Sequence, residues 1–412
     1  MLRQIWAVLA AAAIIAGIIA TNAAVIAAGA LVALAGWGAQ SWARWSLRRV
    51  TYQRLAPEDR AFAGDRVELD LRLSNDKLLP LAWIDIREHF PRGMIEGDAG
   101  EFAQSAQVSV VQTDWRLSLW AHQRATRRYD LYCPDRGVYE IGPARLLSGD
   151  PFGLFQDERE EARRTRIIVY PRTVPLGELA LPARRPFGEL PGGDPVFEDP
   201  SRVLGVRDYR PGDTLRRVDW NATARLGKLQ SRVYDPSASL HLLICLNTQT
   251  TVPVWAGVVP DVLERSITVA ASIAREAFES RYSVGLIANA SYPEADRSIR
   301  IPPGRRAEQF IRMLEALAIV TPFVVEPLAA MLDREEHRLV LGTTIVVISG
   351  LMTPELASTL LRLRRRGHTV LVLKTGAAPW DDDLLAGAVE VRDLSYVDLP
   401  WREQVWAPGA MR

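Results

Sequence analysis

The residues of this chain that could do chemistry concentrate in one stretch, residues 205–232, where arginines alternate with aspartates and aromatic residues stand between them. A guanidinium group matches a carboxylate through two parallel hydrogen bonds, so this alternation predicts a fixed ion-pair network. The candidate site residues are Arg207, Tyr209, Arg210, Asp213, Arg216, Arg217, Trp220 and Arg225. They form either a structural strap that pins this segment to the following domain, or a docking or anion site, and the sequence leaves both readings open.

Familiar catalytic and metal-binding motifs are absent from the sequence. The chain has no G-x-x-x-x-G-K-[ST], H-E-x-x-H, C-x-x-C or G-x-S-x-G, and its 5 histidines are scattered. Its 2 cysteines, Cys133 and Cys245, lie far apart, which excludes a disulfide framework and fits a reducing compartment. We therefore expect no cofactor and favour a protein that is not an enzyme.

The charge balance argues against one class of partner. The 412 residues carry 50 Lys and Arg against 49 Asp and Glu, a net charge of +1. A dedicated nucleic-acid binder usually shows a clear basic excess. We therefore expect no nucleic-acid partner.

The N-terminal region carries no charge from residue 4 to residue 43. As a helix this run would measure about 60 Å, twice the thickness of the hydrocarbon core of a bilayer. Two transmembrane helices, roughly 5–20 and 23–41, fit the length, with the turn at Thr21 and Asn22. The arginines that follow the second span place both ends in the cytoplasm, since positive residues stay inside. A cleaved signal peptide and a buried Ala-rich hairpin remain alternatives.

The next region alternates between apolar and charged residues. Along residues 66–74 every second residue is Val or Leu, and residues 82–87 and 115–119 alternate in the same way. This period of two is typical of half-buried strands. Short strands of this kind predict a small β-sandwich-like domain over residues 47–175.

The last region alternates between strand and helix patterns. Residues 176–238 form a linker rich in Pro and Gly followed by the charged segment, and residues 239–412 contain continuous apolar strands between amphipathic helices. Such strands are covered on both faces. The pattern predicts an α/β doubly wound domain with a parallel sheet.

The charged segment resembles a known family signature. G-x-R-x-Y-x-P-G-D-x-x-R-x-V-x-W-x-x-T-A-R is similar to that of the domain of unknown function fifty-eight family. Residues 136–139, 150–155 and 169–171 match segments found upstream in that family. The resemblance implies an N-terminal membrane hairpin, a von Willebrand factor A-like C-terminal domain and association with MoxR-type AAA+ ATPases. It names no biochemical activity.

The same resemblance implies where a metal would bind. A von Willebrand factor A domain often holds a divalent cation through D-x-S-x-S after its first strand, and Asn247, Gln249 and Thr251 stand at those positions. Gly350 stands where a later strand would supply an acidic residue. Hard cations require charged oxygen ligands. We therefore interpret the site as degenerate and expect no bound metal.

Two functions follow from this reading. The first is a membrane-anchored adaptor of the inner membrane, with cytoplasmic soluble domains, that acts with a MoxR-type ATPase in assembling or remodelling envelope complexes. The second is a hydrolytic enzyme that uses the acidic and basic residues of the signature segment.

Overall fold

The computed structural model describes residues 5–95, 102–104, 110–177, 179, 203–210, 213–215, 218–234, 241–252, 257–292, 295–380, 382–385 and 387–397. The chain divides into two compact units, Met1–Tyr170 and Pro171–Arg412. The first contains the helical hairpin and a β-rich domain, and the second contains the signature segment and an α/β domain.

The hairpin consists of two helices, α1 (Ile5–Ile19) and α2 (Ala23–Ser46). The Asn22 side chain caps α2 by accepting a hydrogen bond from the Ala24 amide at 3.0 Å. The two helices approach closely at Gly17, where an added Cβ would lie 2.8 Å from Ile26. Two spans were predicted; α2 is the one described helix long and apolar enough to cross a membrane, since α1 has 15 residues.

Eleven described strands follow the hairpin in the first unit. They are β1 (Val50–Leu55), β2 (Arg60–Phe62), β3 (Arg66–Asn75), β4 (Leu81–Pro91), β5 (Phe102–Gln104), β6 (Val110–Leu119), β7 (Arg124–Tyr132), β8 (Gly137–Ile141), β9 (Ala144–Gly149), β10 (Gln156–Glu161) and β11 (Thr165–Tyr170). The sheets have the orders β1-β3-β7, β10-β9-β4-β6-β5 and β2-β11-β8. Alternate residues of β3, β4 and β9 meet in one apolar core.

The alternation in the sequence predicted β3, β4 and β6 correctly. β10 was not predicted because it carries charge on most positions, as in the run Gln156–Glu161. In β10 the pattern of burial alternates between exposed and half-buried. This strand buries no full apolar face, so its sequence lacks the usual strand signal.

The second unit begins with a two-stranded antiparallel sheet. β12 (Val203–Asp208) pairs with β13 (Gln230–Tyr234), and the short helix α3 (Trp220–Leu226) lies between them in the chain. Most of the predicted Pro- and Gly-rich linker, residues 180–200, lies outside the described residues.

The α/β domain is built on one six-stranded sheet. Its elements are β14 (His241–Leu246), α4 (Pro260–Glu279), β15 (Ser283–Tyr292), β16 (Ala295–Gly304), α5 (Ala307–Ile319), α6 (Leu328–Glu336), β17 (Thr344–Ser349), α7 (Pro354–Arg365), β18 (Thr369–Lys374) and β19 (Glu390–Asp393). The strand order is β16-β15-β14-β17-β18-β19, and β16 alone of these six runs antiparallel to its neighbour. Numbered within the domain, this order is 3-2-1-4-5-6.

Helices cover the sheet as the apolar strands predicted. α6 and α7 pack on the face that contains Leu243, Cys245 and Val347. α4 contacts β14, and its Phe278 ring stacks on Phe310 of α5 at 5.0 Å between centroids. Thr353 caps α7 by accepting a hydrogen bond from the Leu356 amide. The doubly wound α/β prediction is confirmed, with one antiparallel edge strand that the sequence did not indicate.

Candidate functional site

The signature segment folds back on itself. Arg207 lies opposite Ser231, and Asp208 lies opposite Gln230 in the register of β12 and β13. The Tyr209 amide donates to the Leu229 carbonyl at 2.9 Å. Arg207 and Asp208 of the signature are therefore held on a small antiparallel two-stranded scaffold.

Asp213 forms the first centre of this scaffold. Both of its carboxylate oxygens accept hydrogen bonds from the Arg207 guanidinium, at 2.7 and 2.8 Å. The Arg210 amide also donates to this carboxylate at 3.0 Å, and the Tyr209 hydroxyl donates to the Asp213 carbonyl. Asp213 is thus the acceptor of a two-bond ion pair with Arg207.

Asp219 forms the second centre. Its carboxylate caps α3 by accepting from the amides of Asn221 and Ala222, and it also accepts from the Arg232 guanidinium at 2.9 Å. The hydrogen bond from the Ala222 amide has the largest effect on the pKa of Asp219, followed by the one from Arg232. Both lower this pKa below its usual value. The carboxylate is therefore charged and occupied, which suits a structural cap better than a proton carrier.

The sequence did not single out three residues that complete this scaffold. The Gln230 side chain donates to the Asp208 carboxylate at 2.6 Å, and the Gln230 backbone amide donates to the Thr223 hydroxyl at 3.0 Å. Gln230 is 4% exposed. Gln230, Thr223 and Arg232 carry no signal of their own, because only the pairing of β12 with β13 brings them to these partners.

The outer surface of the segment is apolar and uncovered. No residue of α3 is buried. Trp220 is 64% exposed, Leu226 is 61% exposed and Leu215, just before the helix, is 69% exposed. Arg210 and Arg225 of the same segment are also exposed, whereas Arg216 and Arg217 lie outside the described residues. Large apolar side chains exposed in one short segment are typical of an interaction surface.

The residues at the expected metal positions form a different structure. Asn247 follows β14, and its side-chain oxygen accepts from Asn289 at 2.9 Å and from the Gln249 amide at 3.1 Å. Its side-chain nitrogen donates to the Ser349 hydroxyl at 2.9 Å. Asn289 in turn accepts from both the amide and the hydroxyl of Thr248. This is a buried amide and hydroxyl network without a formal charge.

The other expected positions contribute no ligand to this network. The Gln249 side chain donates to the Thr251 carbonyl at 3.1 Å, and the Thr251 hydroxyl donates to the Gly257 carbonyl. A Cβ at Gly350 would lie 2.5 Å from Val262 of α4, so no acidic side chain fits there without repacking.

The residues present therefore do not fit a divalent cation. The side chains of Asn247 and Ser349 are bonded to neutral partners within the protein, and Val262 fills the place of the acidic ligand. Among the described residues, no group of three His, Cys, Asp or Glu side chains is placed to hold a metal.

These observations define a class of protein: an apolar hairpin joined to a β-rich domain, followed by a charged signature segment and a doubly wound sheet. Residues 205–398 match the family described as "Protein of unknown function DUF58". The resemblance drawn from the signature is thus confirmed over that range.

Individual relatives add little beyond this family. The chain is similar to the uncharacterised protein YeaD of Bacillus subtilis, with 24% identity over 76% of this chain and 73% of that protein. Among solved structures, it is similar to a von Willebrand factor type A protein from Catenulispora acidiphila, with 14% identity over 42% of this chain and 43% of that one, and a TM-score of 0.27. A CARDB domain from Pyrococcus furiosus matches 29% of this chain and 91% of its own, with 11% identity and a TM-score of 0.21.

Proposed function

We propose that this protein is a membrane-anchored adaptor whose signature segment binds a partner protein. One observation carries the proposal: α3 buries none of its residues, so Trp220 and Leu226 stay exposed on a segment that Asp213 and Asp219 hold folded. A rigid scaffold that presents aromatic and aliphatic side chains loses little entropy on binding. In this proposal the strap and the docking surface are two faces of one segment.

The arrangement favours an adaptor over the hydrolytic alternative. Asp213 and Asp219 each accept from an arginine and from backbone amides, so neither carboxylate is placed as a general base. No histidine lies within residues 205–232.

The partner we propose is a MoxR-type AAA+ ATPase, with assembly or remodelling of envelope complexes as the process. The support is the family resemblance, together with a segment that exposes both apolar side chains and the arginines Arg210 and Arg225. Such a surface fits a partner with an apolar groove rimmed by carboxylates.

We place the protein in the inner membrane, with the hairpin crossing twice and the soluble domains in the cytoplasm. The 24 residues of α2 are long enough to span the hydrocarbon core, and α1 packs along it. Arg44, Arg48 and Arg49 follow the apolar part of α2, as the positive-inside rule requires of a cytoplasmic end.

The adaptor proposal is tested by capture of the ATPase. The full chain is immobilised in detergent micelles and incubated with a purified MoxR-type ATPase from the same organism, with and without ATP. Trp220→Ala and Leu226→Ala should each weaken capture by about tenfold or more. Phe323→Ala is the matched control, because Phe323 is 72% exposed in the same unit but outside the signature. Full capture by both signature variants would refute the docking surface, and no capture by the unmodified chain would refute this partner.

A further inference from the structure

The end of the β-rich domain that meets the hairpin is built onto the last two turns of α2. The Lys77 ammonium, in the loop between β3 and β4, donates to the Ser46 carbonyl at 2.6 Å. The Arg159 guanidinium donates to the carbonyls of Leu47 and Val50, at 3.2 and 2.8 Å. Phe155 packs on Ala39, Ala43 and Trp6. The domain is thus held at a set position along the helix axis.

The loop between β9 and β10 exposes two large apolar side chains at this junction. The Asp150 carboxylate accepts from the amides of Phe152 and Phe155, at 2.9 and 2.5 Å, and the Asp150 amide donates to the Phe155 carbonyl at 3.1 Å. These bonds fix the loop. Phe155 is consequently buried against the hairpin, while Phe152 is 81% exposed and Leu154 is 69% exposed.

Two neighbouring loops also expose large apolar side chains. Leu78, next to Lys77, is 81% exposed, and Trp120, between β6 and β7, is 76% exposed. The Asn75 side chain ties the two loops together by donating to the carbonyls of Leu79 and Trp120, at 3.1 and 2.9 Å. Lys77 binds both Asn75 and the end of α2. All three loops are therefore anchored on residues 39–50.

The depth of these loops follows from the helix rise. At about 1.5 Å per residue, 20 residues cross a 30 Å hydrocarbon core. Counted from Ala23, the first residue of α2, the far boundary falls at Trp42. Phe155 contacts Ala39 and Ala43 on either side of that position. Trp37 and Trp45, the aromatic residues flanking it, are 67% and 56% exposed.

We propose that Leu78, Trp120, Phe152 and Leu154 form a lipid-contacting surface that enters the interfacial layer of the bilayer beside the hairpin. The proposal rests on the membrane anchoring proposed above and adds that the β-rich domain itself lies against the membrane. Continuity with α2 identifies the occupant as lipid, because any surface this close to the helix boundary meets the headgroup region. Exposed apolar side chains are stabilised at that depth.

The test places a fluorophore on single introduced cysteines. Both native cysteines are buried, so an introduced exposed cysteine is labelled selectively. The full chain carrying Phe152→Cys or Leu78→Cys is labelled with nitrobenzoxadiazole and reconstituted into phosphatidylcholine vesicles that contain shallow doxyl-labelled lipid. Quenching by the doxyl lipid and by aqueous iodide is then measured.

Val138→Cys is the matched control. Val138 is an apolar residue, 40% exposed, on β8. The residues on either side of β8 are bonded to the end of β4 and the loop after it. The Tyr132 amide donates to the Met94 carbonyl, and the Gly142 amide donates to the His89 carbonyl. His89 lies eight residues along β4 from Leu81, about 26 Å away at 3.3 Å per residue. Val32→Cys, on the apolar part of α2 and 44% exposed, reports insertion of the hairpin.

We expect the F152C and L78C labels to be quenched by the doxyl lipid and to be several-fold less accessible to iodide than the V138C label. Equal iodide access at all three positions, with the V32C label still quenched by lipid, would overturn this surface and leave membrane anchoring intact. Shielding from both quenchers would show a protein occupant or a second copy and would also overturn it. Failure of lipid to quench V32C would overturn the anchoring and this surface together.

Discussion

At the scale of single residues, Glu88 is a buried carboxylate held by several hydrogen bonds in the β-rich domain. It accepts from the Tyr52 hydroxyl at 2.5 Å and from two nitrogens of Arg54 at 2.8 and 3.1 Å. The side chains of Arg54 and Glu88 are 3% and 1% exposed. Burial, followed by the charge of Glu88, raises the pKa of Tyr52, so the phenol stays protonated and donates throughout the physiological range.

Replacing Glu88 should therefore be costly. Glu88→Ala leaves the Arg54 charge buried without this acceptor, and breaking a buried pair costs about 3–5 kcal/mol. Urea unfolding of the full chain in micelles measures the loss. Glu140→Ala is the control, since Glu140 pairs with Arg164 and Arg166 at the surface, where a pair is worth about 0–1 kcal/mol. Equal losses in the two variants would contradict this account of Glu88.

Lys77, at the junction between the hairpin and the β-rich domain, makes a contribution to stability that depends on pH. Burial, and then the nearby Arg159 charge, lowers the pKa of this lysine to about 8. In the unfolded chain a lysine titrates near pH 10.4. Between these two values the unfolded chain binds more protons at this site than the folded one, so the stability that Lys77 contributes rises as pH increases.

We therefore expect the melting temperature of the unmodified chain, minus that of Lys77→Met, to increase between pH 7 and pH 10. Scanning fluorimetry over that range measures it. The chain has only three lysines, and Lys228→Met, at an exposed position, controls for the loss of a lysine as such. A constant or falling difference would show that the buried ammonium carries no net penalty.

At the scale of elements, α3 depends on its cap more than on packing, because none of its residues is buried. Asp219→Ala removes the acceptor of two amides and the partner of Arg232. Hydrogen exchange of residues 221–226 should become faster, while the melting temperature of the α/β domain barely changes. Asp219→Asn keeps a capping oxygen and should retain most of the protection.

The charge of this cap also sets its pH range. Since the pKa of folded Asp219 is lowered, its contribution is fully present above about pH 4 and is lost only as pH falls through the folded value. If the amides of residues 221–226 still exchanged slowly in Asp219→Ala at pH 7, contacts other than the cap would be holding α3 in place.

At the scale of the whole molecule, the arginines around the hairpin predict its topology. An alkaline phosphatase or green fluorescent protein reporter fused after Arg412 distinguishes the two sides of the membrane. We expect fluorescence and no phosphatase activity, because Arg44, Arg48 and Arg49 retain this end in the cytoplasm. Strong phosphatase activity would contradict the two-span hairpin, and a single span through α2 alone would then account for the topology.

The local patterns of the sequence determined the elements. The uncharged run predicted two helices with a turn at Thr21 and Asn22, and α1 and α2 form on either side of it. The period of two predicted β3 and β4, and the apolar strands predicted the covered sheet of the α/β domain. These features depend on residues a few positions apart, whose spacing alone sets which face of a helix or strand is apolar.

Only the tertiary structure decided what the polar residues do. Asn247 meets Ser349 across 102 positions and Asn289 across 42, and Arg54 meets Glu88 across 34. Each pairing depends on strand order and register, which no local period encodes. The same holds for Trp220, whose residue type is compatible with a core or a surface. Its exposure is set in the tertiary structure, where β12 pairs with β13 and α3 between them buries none of its residues.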